Sequence, residues 1–298
     1  RLNKENYFAY KEFINYKDDF LKLNPIQQLN GIEEAKERIN KRFSGEIGVD
    51  MNYSKKSAFG KSFNFRLIKK SKRIKILIAP HCFYDSPHPF GDNLYPDVFD
   101  WLEALIKISK KTDYDWYVKT HPDFLEKTKK MVIEIFENHL NFTILPSDSS
   151  HLQIVKEGID FALTMYGSIG FEYAAMNIPV INASLNNPHI SFDFNINPES
   201  IEEYENILMN LKELDHDINK TDVYRYYYMH KLFHSQNWLF EDYDKVIDDL
   251  GGYYGQFAPE MYQYWINNWS SEKHQKILNG LRGFIESGEY LYNPIKSI

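Results

Sequence analysis

A parallel α/β sheet of Rossmann-like type, with helical N-terminal and C-terminal extensions, is the fold class the sequence predicts, and three observations predict it. Between Ile74 and Asn182 five short apolar runs alternate with helical segments. Each run but the last is followed by a helix, and parallel neighbours need such a crossover, right-handed in its favoured form. The flanking stretches carry apolar residues at helical spacing only. The boundaries expected from this pattern are a basic helical region over 1–72, a sheet domain over 73–215 and a C-terminal helical region over 216–298.

Taken in order, residues 4–23 and 32–43 set Phe8, Phe13, Ile14, Phe20 and Leu21 on helical faces, broken by Asn24-Pro25 and Asn30-Gly31. That predicts two helices joined by a turn. Residues 44–72 mix Gly45, Gly48 and Gly60 with Lys55, Lys56, Lys61, Arg66, Lys69, Lys70 and Lys72, a composition expected of a linker with a basic face. Strands are expected at 75–79, 116–119, 142–145, 161–164 and 179–182, and helices at 97–110, 124–138, 149–157 and 169–177. Ser200 and Glu203 have capping-box spacing and open a helix to about Leu214. Further helices are expected near 221–236, 241–250, 258–267 and 271–286, with Gly251-Gly252 as a break. Tyr226, Tyr227, Tyr228, Trp238, Trp265 and Trp269 concentrate there and read as core.

With 298 residues, 43% of them hydrophobic and 16% aromatic, the chain has ample material for buried cores. Its net charge of −7 argues against a nucleic-acid binder, which must neutralise many phosphates. That charge is unevenly spread: residues 1–75 hold 18 basic and 9 acidic side chains, residues 76–298 hold 17 and 33. A lone Cys82 excludes an intramolecular disulfide and a zinc-cysteine cluster, so a reducing, cytoplasmic setting is expected and no cofactor is implied. No 18-residue apolar run predicts a membrane span. The chain opens on Arg1 in a helical pattern, as a piece of a longer protein would.

In parallel sheets ligands bind outside the carboxyl ends of the strands, so the residues following each strand are the candidates. The first such loop, 80–92, holds His81, Asp85 and His88 among prolines. It could supply polar groups to a ligand, but an irregular loop fixes no metal geometry, and no metal site is expected. After the second strand, Lys119-Thr120-His121-Pro122 places a histidine whose backbone the proline keeps extended, able to donate to a phosphate oxygen. After the third come Ser149 and Ser150, either of which can cap the next helix. After the fourth, Gly167-Ser168-Ile169-Gly170-Phe171-Glu172 combines glycines that admit a close ligand, a hydroxyl and helix-start amides suited to an anion. Glu172 lies one turn beyond Ser168, where its carboxylate could hold ribose hydroxyls. After the fifth, Asn187 and His189 add hydrogen-bonding groups at the same edge. Asp113-x-Asp115 precedes its strand and therefore lies at the wrong edge for such a site. Neither the phosphate loop of ATP users, nor the dinucleotide fingerprint, nor a nucleophile elbow is present, which disfavours kinase-like ATP use, hydride transfer and serine hydrolysis.

The succession of His81-Cys82-Phe83-x-Asp85-x-Pro87-His88, Lys119-Thr-His-Pro122, Ser149-Ser150 and Gly167-Ser-x-Gly-x-Glu172 at consecutive strand ends, followed by Ile178-Pro179-Val180, resembles the C-terminal, donor-binding half of GT-B glycosyltransferases. It is most similar to the bacterial capsule and lipopolysaccharide group, which includes Kdo-transferring and polysialic-acid-synthesising enzymes with His-Pro and Ser-Ser motifs. The resemblance covers residues 73–195. It implies a nucleotide-sugar donor, CMP-, UDP- or GDP-linked, as substrate rather than cofactor, and an oligosaccharide or lipid-linked glycan acceptor. By the same resemblance no metal is needed, His121 and the amides near Ser168 would stabilise the departing phosphate, and Glu172 would hold the ribose. Asp85 and His88 are the base candidates in this half. A second Rossmann-like unit, present in that class, is absent from the sequence pattern. Basic residues 55–75 are expected to give peripheral contact with an anionic membrane, at the inner face of the cytoplasmic membrane. Two alternatives stay open: a non-catalytic assembly protein of the same fold, and a sugar-nucleotide epimerase.

Overall fold

The structure is a computed structural model and describes residues 11–50, 54–84, 93–123, 125–233 and 243–288. After a short 3-10 turn at Lys11–Asn15, the N-terminal region forms α1 (Tyr16–Lys22) and α2 (Pro25–Phe43). Asn24 starts α2: its side chain accepts from the Gln27 amide, Gln27 reciprocates, and Pro25 occupies the first turn, where its missing N–H costs nothing. The helix runs unbroken through Asn30-Gly31, which the sequence reading marks as a break. Gly31 is there for packing instead: a β-carbon on it would lie 2.8 Å from the Tyr228 ring.

The sheet unit follows as β1 (Lys75–Ile78), α3 (Val98–Ser109), β2 (Asp115–Val118), α4 (Glu126–Phe136), β3 (Phe142–Ile144), α5 (His151–Lys156), β4 (Phe161–Thr164), α6 (Ile169–Ala175) and β5 (Val180–Asn182). The five strands are all parallel, in the order β3-β2-β1-β4-β5. The chain thus builds outward from β1 to β3, then returns to place β4 on the other side of β1. That reversal opens a crevice above the carboxyl ends of β1 and β4.

Alternation along the strands divides the core. Ile76, Ile78, Trp116 and Val118 face α3, with its Trp101, Leu102 and Leu105, and α7 (Ile201–Met209), with its Tyr204 and Leu208. Trp101 Nε1 donates to Tyr204 Oη at 2.8 Å, satisfying the buried indole. Leu77, Tyr117, Ala162 and Val180 face the opposite way, against Ile154, Ile169 and Tyr173. Ser200 caps α7 through the Glu203 amide, as its spacing predicts.

The basic stretch 54–74 is not a free linker. Leu67 and Ile68 are buried in the second core, and both their amides donate to Glu157 beyond α5. Gln153 on α5 holds the backbone of Phe63 and Phe65. The lysines project outward from a segment laid across the sheet domain. Nor does packing break at 72 or 215: α1, α2, α6, α8 (Lys220–Tyr227) and a π-helical turn at Tyr228–Phe233 share one core, with Phe20, Ala35, Phe171, Phe192, Tyr226 and Tyr227 at its centre. Helices α9 (Tyr243–Asp249), α10 (Pro259–Asn268) and α11 (Gln275–Ser287) follow, with a small cluster around Val246, Ile247 and Met261. Trp238 lies outside the described residues, and Trp269 stacks on His274. No helix among the described residues is long and apolar enough to cross a membrane.

Candidate functional site

Above the crevice at the β1/β4 ends lies a cleft of about 540 Å³. Its floor is Ala79 to Cys82 after β1, Lys119 and His121 after β2, His151 at the start of α5, and Thr164 at the end of β4 with Tyr166 to Ile169 and Glu172 beyond it. The opposite wall comes from outside the sheet unit: Arg42 of α2, Asp50, Ser54, Lys55 and Ala58, with Lys231 of the π-helical turn. Of the residues expected from sequence, His81, His121, Gly167, Ser168 and Glu172 meet here. Asp85 and His88, the base candidates, lie outside the described residues.

The other candidates stand behind the cleft. Ser149 Oγ donates to the Pro146 carbonyl, and Ser150 Oγ donates to the Phe59 carbonyl while accepting from the Leu152 amide as N-cap of α5. The pair therefore presents the next residue, His151, to the cleft. Asn187 donates to Ser184 and Asn197, and fully buried His189 donates through its backbone amide and Nδ1 to Asn187 Oδ1 and packs on Tyr226. Gly170 faces His189 and Asn195 rather than the cleft: a β-carbon on it would fall 2.3 Å from His189 Cε1 and 3.0 Å from Asn195 Nδ2. Gly170→Ala should thus cost about 1–3 kcal/mol by overpacking and leave ligand affinity unchanged, a split that urea denaturation and binding titration together would test. A stable Gly170→Ala with lost binding would return Gly170 to the ligand.

The helix-start amides also have other work. Gly170 donates to the Gly167 carbonyl, and Phe171 and Glu172 both donate to that of Ser168, so these three are already used within the turn. The other donors facing the cleft are side chains. His121 Nδ1 accepts from the Asp123 amide at 3.1 Å, which leaves the ring proton on Nε2. Burial, then the neighbouring Lys119, hold the His121 pKa below its ordinary value, which favours an uncharged ring near neutrality with an N–H to donate. Asp123 in turn accepts from Ser54 Oγ at 2.7 Å and from the Lys55 and Lys56 amides, tying the outer wall to the His-Pro turn.

Glu172, 3% exposed, is held from outside the sheet unit. Arg42 Nε donates to its Oε1 at 2.8 Å, Arg42 Nη2 donates to the same oxygen, and Ser168 Oγ adds a third bond at 3.1 Å. Oε2 accepts none among the described residues. Arg42 Nη1 donates to Asp50 Oδ2 at 2.8 Å, and Tyr227 Oη donates to Asp50 Oδ1. Desolvation works against the guanidinium charge, but Glu172 and Asp50 outweigh it and hold the Arg42 pKa above its usual value.

Sequence reasoning missed Arg42, Asp50, Lys119, His151 and Lys231. Arg42 and Lys231 carry no signal, since each looks like an ordinary charged residue on a helix. Two signals were readable: a lysine directly continuing the apolar Trp116-Tyr117-Val118 run, and a histidine directly after Ser149-Ser150. Among the described residues no three His, Cys, Asp or Glu side chains group as metal ligands would. Asp115 sits at the far edge with Ser71 and Arg73, as its position before the strand predicts.

No protein-family model matches the chain, and a search of curated protein sequences gives no match. Solved structures similar to it include the following two. One is the beta Kdo 2,4 transferase KpsC of Thermosulfurimonas dismutans, at 13% identity and a TM-score of 0.43, covering 72% of this chain and 62% of that one. The other is the wall teichoic acid polymerase TagF, at 13% identity and a TM-score of 0.33, covering 78% and 48%. The chain spans less than two thirds of either.

Proposed function

We propose that this chain is the donor-binding part of a GT-B glycosyltransferase, which moves a sugar from a nucleotide-sugar to a growing bacterial surface polysaccharide. The observation that carries the reading is the cleft itself. Four nitrogen-bearing side chains from three separate elements, Arg42 of α2, Lys119 and His121 after β2, and Lys231 of the π-helical turn, converge on the crevice where an open parallel sheet takes its ligand. A phosphate-bearing ligand meets those donors, and the motifs that resemble the glycosyltransferase group supply three of the cleft's four floor segments.

On this reading His121 Nε2–H and the lysines stabilise charge that develops on the phosphate as the glycosidic bond breaks, and each well-placed donor contributes about 3 kcal/mol. Glu172 Oε2 accepts from ribose, with the rest of the carboxylate anchored by Arg42 and Ser168. A panel of CMP, UDP, GDP, ADP and their sugars tests the reading by thermal shift. One nucleotide class at 100 times its dissociation constant should add about 2.7 kcal/mol of stability. A flat response across the panel would remove the reading. Conversion of the nucleotide-sugar without any acceptor would replace transfer by epimerisation.

A further inference from the structure

Lys119 is 2% exposed, yet it lines the cleft. Burying an ammonium is costly unless partners replace its hydration. Its recorded bond is to a neutral ring nitrogen, His151 Nε2 at 3.2 Å, and no carboxylate comes within salt-bridge distance of it among the described residues. An ammonium has three donors, so a bond to one acceptor leaves capacity that no other side chain among the described residues takes up. Behind it, His151 Nδ1 meets Tyr173 Oη at 2.8 Å, so the histidine is fixed at both nitrogens and cannot turn away.

We propose that Lys119 Nζ is the floor contact for the phosphate of the bound nucleotide, positioned by His151 and Tyr173, and that ligand binding protonates it. The inference rests on the nucleotide reading above and names the residue through which it works. The groups facing Lys119 are His121 on its own loop, Asp148 after β3, His151 on α5, Glu172 and Tyr173 on α6, Arg42 on α2 and Lys231 across the cleft. Burial pulls the lysine down to about 8 against the smaller raising effects of Glu172 and Asp148. His151 is held well below its ordinary value by burial, then by Lys119, His121 and Arg42, so it stays neutral. In the charged state Lys119 can only donate, so His151 Nε2 accepts and Nδ1–H donates to Tyr173 Oη. In the neutral state the lone pair on Nζ can accept instead, and the histidine proton can shift to Nε2. A phosphate dianion favours the charged form and raises the lysine pKa, so binding draws a proton from solvent wherever the free lysine is neutral.

The test is calorimetric titration of CMP, UDP, GDP and pyrophosphate at pH 8.5, in buffers of differing ionisation enthalpy. At that pH a lysine titrating at about 8 is mostly neutral, and the expected uptake is about three-quarters of a proton per ligand. Lys119→Met should abolish uptake and weaken binding at least about tenfold. Lys119→Arg, charged at every working pH, should abolish uptake while binding better than Lys119→Met. His121→Asn should leave the uptake in place. Binding by the unaltered protein without uptake, or uptake that survives in Lys119→Met, overturns the assignment while the nucleotide reading stands. Failure of all four ligands to bind overturns both.

Discussion

Replacing Arg42 by methionine should cost about 3–5 kcal/mol of stability, the expected loss when one partner of a buried ion pair is removed and the other is left uncompensated. Arg42 bridges two carboxylates, those of Asp50 and Glu172, whose side chains are 1% and 4% exposed. It thereby joins α2 to α6 and fixes the cleft wall to its floor. Urea denaturation would measure the loss, with the slope m checked for constancy. Arg42→Lys should recover only part of it, because an ammonium cannot reach both carboxylates with a planar fork. Adding Glu172→Gln to Arg42→Met should return some stability, since the stranded charge is then gone, and the double-mutant cycle gives the coupling. A loss below about 1 kcal/mol in the single variant would mean that the pair is worth no more than a surface contact.

In activity, the largest expected effect belongs to His121→Ala. If Nε2–H meets charge that grows as the sugar departs, turnover should fall about 100- to 1,000-fold, the range for loss of one such donor. Because the contact strengthens only in the transition state, donor affinity should change far less. The measurement is nucleotide release from whichever nucleotide-sugar the thermal panel selects, with KM and kcat separated. Equal, small effects on both would make His121 a structural residue of its turn. Glu172→Gln is a less clean comparison than the sequence suggests. It should weaken ribose binding, by about 1.5–3 kcal/mol for bonds to a charged acceptor. It also unpairs Arg42, so its affinity loss must be read beside its stability loss.

Much of the fold was legible because it depends on local pattern. Alternating apolar runs and helical segments placed all five strands within a residue or so at each end, and Ser200-x-x-Glu203 marked the start of α7. Boundaries in the flanking regions were harder. Asn30-Gly31 carries a break signal that a distant ring, Tyr228, turns into a packing contact. The lysines of 55–72 suggested a linker because their charge conceals Leu67 and Ile68, which pack under the sheet while Glu157, about ninety residues on, accepts from their amides.

Within the site, sequence alone determined which turns lie at the carboxyl edge, since a parallel strand followed by a crossover helix exposes the same end each time. It therefore located His121, Gly167, Ser168 and Glu172 correctly as residues of that edge. It could not determine strand order, and hence that the ends of β1 and β4 form the crevice. Nor could it separate residues facing the cleft from those behind it, because one position along a turn, as from Ser150 to His151, reverses the direction of the side chain. Arg42 and Lys231, about 190 residues apart, were beyond its reach for a further reason. Their charge reads as solvated surface on any helix, and only the packing of α2 and the π-helical turn against α6 desolvates it and directs it at the cleft.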